Sequence, residues 1–149
     1  MAAAGPHLLF LDTNLLVSAI KSPGKGTESL RLLLLLLARG DVELVGNPVL
    51  VEEYIRYARE FASPTAARIV GVLLGKLRLL DPEERFLRAC APLLPAGQAA
   101  DCAQAATCLQ TGAVLISGDR HFDRVARAGL VRRLTISEAI HAFLGEDAK

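Results

Sequence analysis

The sequence predicts a single α/β domain with a parallel sheet covered by helices on both faces. Three observations carry that prediction. Short runs such as Leu8–Leu11 and Val114–Ile116 are apolar at every position rather than alternating, the pattern of strands buried on both faces. Segments with helical start and stop signals separate the strand candidates throughout, which is the signature of a parallel sheet. The 149 residues, 1–149, are most simply one domain, long enough for a proper core.

Composition narrows the class. A hydrophobic share of 52% and a mean hydropathy of +0.35 fit a leucine- and alanine-rich interior. The net charge of +1 carries no global sign of a nucleic-acid partner, so any such binding must come from local clusters of arginine. Cys90, Cys102 and Cys108 are odd in number and form no CxxC pair. Their alanine- and leucine-rich settings mark them as small buried hydrophobes, consistent with a reducing interior. The opening Met1-Ala2-Ala3-Ala4-Gly5-Pro6 lacks a basic region followed by a long apolar core, so no signal peptide is expected. The run Leu32–Leu37 is bracketed by Arg31 and Arg39 and falls well short of the ~18 apolar residues that suggest a membrane span. A cytoplasmic protein with no membrane partner is expected.

Taken in order, Leu8-Leu9-Phe10-Leu11 forms the first strand and runs into Asp12-Thr13-Asn14. Leu15–Ile20 reads as a short helix ended by Ser22-Pro23-Gly24. Thr27 caps a second helix, which carries the leucine run and stops at Gly40. A helix apolar nearly all round is buried by its own core, or by the core and a protein partner together. Val42–Val45 is the next strand, and Asn47 with Pro48 starts a helix from about Val49 to Phe61. On that helix Leu50, Tyr54, Tyr57 and Phe61 fall on one stripe. Glu52 lies opposite it, in solvent, whereas Glu53 lies about 60° from its centre, at the edge of the buried face. Ser63-Pro64 opens a helix from Thr65 to Lys76, and Leu77–Leu80 is a short strand closed by Asp81-Pro82. Glu83–Ala91 is helical, and Pro92, Pro95 and Gly97 break the chain. The alanine-rich segment Gln98–Thr111 suits close packing on a sheet and carries Asp101 in its first turn. Ala113–Ser117 is a second strongly apolar strand, ending in Gly118-Asp119. Thr135-Ile136 is expected as a last short strand, with Ser137 as the cap of a final helix containing Glu138.

Asp12 and Asp119 each follow a buried strand, and parallel strands point the same way, so both carboxylates belong at one edge of the sheet. If the two strands are neighbours, the acids flank the point where the strand order reverses. Helices bearing Glu53 or Asp101 near their starts can lean over the same edge. Singly, Asp12 could be only a helix cap and Asp101 only a carboxylate favoured by the helix dipole. Together, clustered carboxylates repel, and without a cation some would be driven to protonate. Oxygen ligands with no His/Cys set suit Mg²⁺ or Mn²⁺ rather than zinc. Such a site can activate water and stabilise a phosphodiester in its transition state.

The order Leu11-Asp12-Thr13-Asn14, Leu50-Val51-Glu52-Glu53-Tyr54, Asp101, Ile116-Ser117-Gly118-Asp119-Arg120-His121-Phe122 and Leu134-Thr135-Ile136-Ser137-Glu138 resembles the PIN-domain nucleases. The nearest likeness is to prokaryotic proteins of the VapC toxin type, and it spans almost the whole chain. The resemblance implies a three-layer α/β/α fold with a central, mostly parallel sheet. It implies that Asp12, Glu53, Asp101 and Asp119 form a catalytic, metal-binding quartet, supported through hydrogen bonds by Thr13 or Asn14 and by Ser117. It also implies Mg²⁺- or Mn²⁺-dependent endonucleolytic cleavage of RNA that leaves 5′-phosphate and 3′-hydroxyl ends. A toxin held inactive by an antitoxin, and a homodimer with the leucine-rich helix as one contact, follow from the same likeness. Many relatives have an acid where His121 stands and a second acid where Ala100 stands, so the second metal position is thinned here.

His121 is either a contact for a phosphate or metal-bound water, or a surface histidine at a helix start. Arg120, Arg124 and Arg127 recur at i, i+4 and i+7 and form a basic stripe, which either holds RNA phosphates or is simply a solvated face. Arg56 and Arg59 are weaker candidates of the same kind. His7 and His141 are read as structural or solvent-facing. With five Phe, two Tyr and no RNP motif, base stacking is not expected to dominate. Two rival functions stand beside the nuclease. One is a catalytically weak PIN domain acting as a protein-binding module. The other is a phosphotransferase of another doubly wound fold, which would want a second acid where Asn14 stands.

Overall fold

The computed structural model describes residues 6–21 and 27–145. The expected helix stop at Ser22-Pro23-Gly24, and all but Pro6 of the opening stretch, lie outside the described residues. The chain runs β1 (His7–Leu11), α1 (Thr13–Ile20), α2 (Glu28–Ala38), β2 (Val42–Gly46), α3 (Pro48–Phe61), α4 (Pro64–Lys76) and β3 (Leu77–Leu79). It continues through α5 (Glu84–Cys90), α6 (Ala99–Thr111), β4 (Val114–Ile116), α7 (Asp123–Arg127), β5 (Arg133–Leu134) and α8 (Ile136–Ala139).

The strands form one sheet in the order β3-β2-β1-β4-β5, and every pairing is parallel. Right-handed crossovers then place α1–α4 on one face and α5–α7 on the other. Most helix contacts follow the same division: α1 packs on α2 and α3, α4 on α2 and α3, and α5 on α6, while α3 also meets α6. Both faces are covered, which is why Phe10, Leu44, Leu115 and Ile116 are fully buried and why the strands read as unbroken apolar runs. β1 lies beside β4, with Leu11 opposite Ile116. The chain order reverses between these two strands, and Asp12 and Asp119 follow their ends at that switch point.

Helix α3 starts as expected, with Asn47 as cap and Pro48 in the first turn. Leu50 and Tyr54 are fully buried, whereas Tyr57 and Phe61 are half-buried and stack on each other with ring centroids 6.3 Å apart. The buried stripe therefore turns outward along the helix. The Tyr54 hydroxyl donates to the carbonyl of Leu11, tying α3 to the last residue before Asp12. The helix ends at Ala62, whose φ of 47° is left-handed.

In α2 the leucine run divides. Leu32, Leu33 and Leu36 are buried, and Leu34 is 47% exposed beside Val72 of α4, at 52%. Lys76, at the end of α4, donates to the carbonyls of Leu36, Leu37 and Arg39 at 3.1, 3.1 and 2.7 Å. It thereby satisfies acceptors that the end of α2 leaves without helical partners. Cys90 and Cys108 are buried and Cys102 is half-buried; all are free thiols.

Three expectations are corrected. The last strand is Arg133–Leu134 rather than Thr135-Ile136, and the cap is Thr135 rather than Ser137. Thr135 Oγ1 accepts from the Glu138 amide at 3.1 Å, and Glu138 Oε1 accepts from the Thr135 amide at 2.8 Å. That reciprocal pair takes Thr135 out of the strand. After Asp119 the chain first makes a 3-10 turn, Arg120–Phe122, and only then the short α7. Arg120 is therefore not on one α-helix with Arg124 and Arg127.

Candidate functional site

Asp12 is both a helix cap and a member of the candidate site, and its two oxygens divide the roles. Oδ1 accepts from the Thr13 amide at 2.9 Å, starting α1. Oδ2 accepts from Ser117 Oγ at 2.6 Å, across the β1–β4 boundary. Ser117 is fully buried and also accepts from the Asp119 amide at 3.0 Å and from Asn14 Nδ2 at 3.4 Å. One hydroxyl thus gathers both strand ends and Asn14.

Asp119 Oδ1 accepts from the His121 amide at 2.9 Å, which sets the 3-10 turn. The turn carries the His121 ring toward α6, where Nδ1 lies 2.7 Å from Asp101 Oδ2 and 3.5 Å from Asp119 Oδ1. One atom from each of Asp101, Asp119 and His121 falls within 4.8 Å of the others. Glu53 approaches from α3, and its Oε1 accepts from Gln104 Nε2 at 2.9 Å.

All four acids line one cleft of about 510 Å³, together with Thr13, Asn14 and Gln104. Asp101 and Asp119 close on each other with His121, whereas Asp12 and Glu53 face the same space while bonded to Ser117 and Gln104. Glu52 is exposed, as its position opposite the stripe requires. Arg120, Arg124 and Arg127 are exposed and do not line the cleft, which Lys21 does. Arg56 lies over the Tyr57 ring at 4.9 Å, His7 packs edge-on against Phe143, and His141 is exposed.

The electrostatics show how strained the cluster is. Burial pushes the Asp12 carboxyl up from its ordinary range; hydrogen bonds from Ser117 and Thr13 oppose this, and the charges of Asp119 and Asp101 add to it. Burial also raises Glu53, followed by the charge of Asp12. It raises Asp101 too, against the hydrogen bond from His121. That same hydrogen bond raises His121, with Asp119 contributing. Three carboxyls that resist ionisation in one cleft are what a bound cation relieves. Asn14 Oδ1 is a buried acceptor with no hydrogen-bond partner among the described residues, a further oxygen available to an ion or its water. The residues therefore fit a divalent cation. His121 Nδ1 stands beside these oxygens and can join them only once its proton is lost.

Sequence reasoning missed Gln104 and Lys21, and it missed the contact of His121 with Asp101. The one available signal was Gln104 itself, a large polar side chain one turn after Asp101 on a buried helix face shared with Ala105, Ala106, Thr107 and Cys108.

The PIN domain family profile matches residues 9–128. No curated protein matches the chain in sequence. The fold is similar to that in the crystal structure of VapBC2 from Rickettsia felis bound to a DNA fragment from their promoter. That match has a TM-score of 0.58 at 16% identity, covering 86% of this chain and 98% of that one. It is similar also to VapBC-1 from nontypeable Haemophilus influenzae, with a TM-score of 0.58 at 21% identity, covering 87% of this chain and 98% of that one.

Proposed function

Because the chain belongs to the PIN domain family, we propose that it is a metal-dependent endoribonuclease and the toxin of a toxin–antitoxin pair. The observation that carries this reading is the convergence of Asp12, Glu53, Asp101 and Asp119 on one cleft at the switch point of a parallel sheet. These four residues would hold Mg²⁺ or Mn²⁺, with His121 beside Asp101 and Asp119. The bound ion would supply an activated water and charge stabilisation at the phosphorus.

The chain's own groups orient the ligands. Ser117 fixes Asp12, the Asp119 carboxylate sets the turn that carries His121, and Thr13 and Asn14 line the floor next to Asp12. Lys21 offers a cation to a phosphate in the cleft, and Arg120, Arg124 and Arg127 offer contacts outside it. Among the described residues no helix is long and apolar enough to cross a membrane. A cytoplasmic enzyme acting on cellular RNA is the reading proposed. The test is cleavage of RNA by purified protein with Mg²⁺ or Mn²⁺, followed by sequencing of the RNA ends from wild type and Asp119→Asn. EDTA or Asp12→Asn stops cleavage and the ends carry 5′-phosphates; activity that survives both overturns the metal mechanism.

The apolar groove between α2 and α4, where Leu34 and Val72 are exposed, favours a partner as well. The partner proposed is an antitoxin or a second copy of the chain, and the two similar folds coming from VapBC complexes support the former. The same groove keeps a second reading open, a protein-binding PIN domain with little catalysis. Failure of the metal-free protein to bind Mn²⁺, alone or with RNA, would favour that reading.

A further inference from the structure

Gln104 is 2% exposed and sits on α6, one turn after Asp101, among alanines. A leucine there would pack on the sheet without the penalty of burying an amide. The amide is instead held in a chain of hydrogen bonds whose direction is fixed from its first member. The Leu50 amide donates to Asn47 Oδ1 at 2.9 Å, so Asn47 turns its Nδ2 toward α6. Nδ2 donates to Gln104 Oε1 at 2.9 Å and to Thr107 Oγ1 at 2.8 Å. Thr107 spends its own proton on the Ala103 carbonyl at 2.8 Å, and so accepts. With Oε1 committed to Asn47, Gln104 presents Nε2 to Glu53 Oε1 at 2.9 Å. No member can be flipped without setting donor against donor.

We infer that Gln104 is a positioning residue that holds the Glu53 carboxylate for the metal ion, with the buried Asn47 fixing the direction of the Gln104 amide. Asn47 caps α3, which carries Glu53, and bonds to α6, which carries Asp101. One side chain therefore sets the spacing of two acid-bearing helices. The bond to Oε1 leaves Glu53 Oε2 without a hydrogen bond among the described residues, on a side chain that lines the cleft. Outer partners of this kind orient ligands and raise metal affinity.

The inference rests on the metal-binding reading above, and the test separates the two. Mn²⁺ is titrated calorimetrically into metal-free wild type, Gln104→Met, Glu53→Gln and the double variant. Gln104→Met weakens Mn²⁺ binding about 10-fold or more in the wild-type background. It changes nothing in the Glu53→Gln background, because its effect runs through Glu53. Wild-type affinity in Gln104→Met, or an equal loss in both backgrounds, overturns the inference. Absence of Mn²⁺ binding by wild type overturns the metal reading and the inference with it. Should Gln104→Met not fold, the side-chain amide resonances of Gln104 are followed in the intact protein. They shift with Mg²⁺ and with Glu53→Gln, and resonances that respond to neither overturn the assignment.

Discussion

His121 Nδ1 and Asp101 Oδ2 meet at 2.7 Å across 20 residues of sequence. The contact raises the His121 pKa above its ordinary 6.5, since the carboxylate favours the imidazolium. Its stabilising contribution is present below the unfolded pKa and is lost as pH rises through the folded one. In an NMR titration of the metal-free protein, His121 titrates above 6.5. Asp101→Asn lowers the midpoint, and so does Mg²⁺, which neutralises the carboxylates that favour the proton. A midpoint unmoved by Asp101→Asn would show that the contact does not form in solution.

Asp12→Asn separates stability from activity. Asparagine keeps an oxygen for the Thr13 amide but removes a buried carboxylate whose ionisation burial opposes. Cleavage falls ~100-fold or more, beyond the usual loss for an outer partner of a metal ligand. The metal-free variant resists urea better than wild type at pH 7.5. A variant both inactive and less stable contradicts the assignment of strain to Asp12.

The acid cluster also sets a pH dependence. Asp12, Glu53 and Asp101 have folded pKa values raised above 3.8, 4.5 and 3.8. Their contribution favours folding below those ordinary values and is lost as pH rises through the raised ones. Asp41, held down to about 2 chiefly by its hydrogen bond from Arg39, acts in the opposite sense, but at the exposed surface. Urea midpoints in EDTA therefore rise as pH falls from 7.5 toward the carboxylate range. Saturating Mg²⁺ removes that slope, and identical curves with and without the ion contradict the prediction.

Tyr54→Phe tests the link between α3 and β1. The hydroxyl donates to the Leu11 carbonyl in a fully buried setting, and its removal leaves that carbonyl unpaired. The expected loss is about 1–3 kcal/mol in urea unfolding.

Ala62→Gly acts in the other direction. Ala62 ends α3 at φ 47°, where a side chain is strained and glycine is not. A gain of about 0.5–1 kcal/mol is expected after glycine's entropic penalty, read from the shift in unfolding midpoint.

The central part of this architecture is readable in the chain because burial on both faces leaves so plain a mark. Leu8–Leu11 and Val114–Ile116 are apolar at every step, and the acids that follow them lie where parallel strands must end. Glu53 could be told from Glu52 because helical geometry turns neighbours 100° apart. Thr135 was harder. A β-branched residue before isoleucine reads as strand, and only the reciprocal bonds with Glu138 make it a cap. The turn at Arg120–Phe122 was hidden because charge spacing carries no mark of 3-10 geometry. Asn47 was legible as a cap, but its bonds to Gln104 and Thr107 span 57 and 60 residues and leave no local pattern. His121 is exposed, as a surface reading requires, but its contact with Asp101 leaves no local pattern either, since that partner comes from another helix.

The pairing of β1 with β4 bears on the order of events during synthesis. Asp12 and Ser117 bond across 105 positions, and Asp119 follows still later. At roughly 5–20 residues per second, the ribosome takes on the order of 5–20 s to make the stretch between them. Throughout that interval the nascent chain lacks both the neighbour that completes β1 and the last acid of the cleft. On the nuclease reading, a half-made copy is harmless to the message encoding it and to the ribosome that holds it. On that same reading, cutting power arrives only after Asp119 has been added.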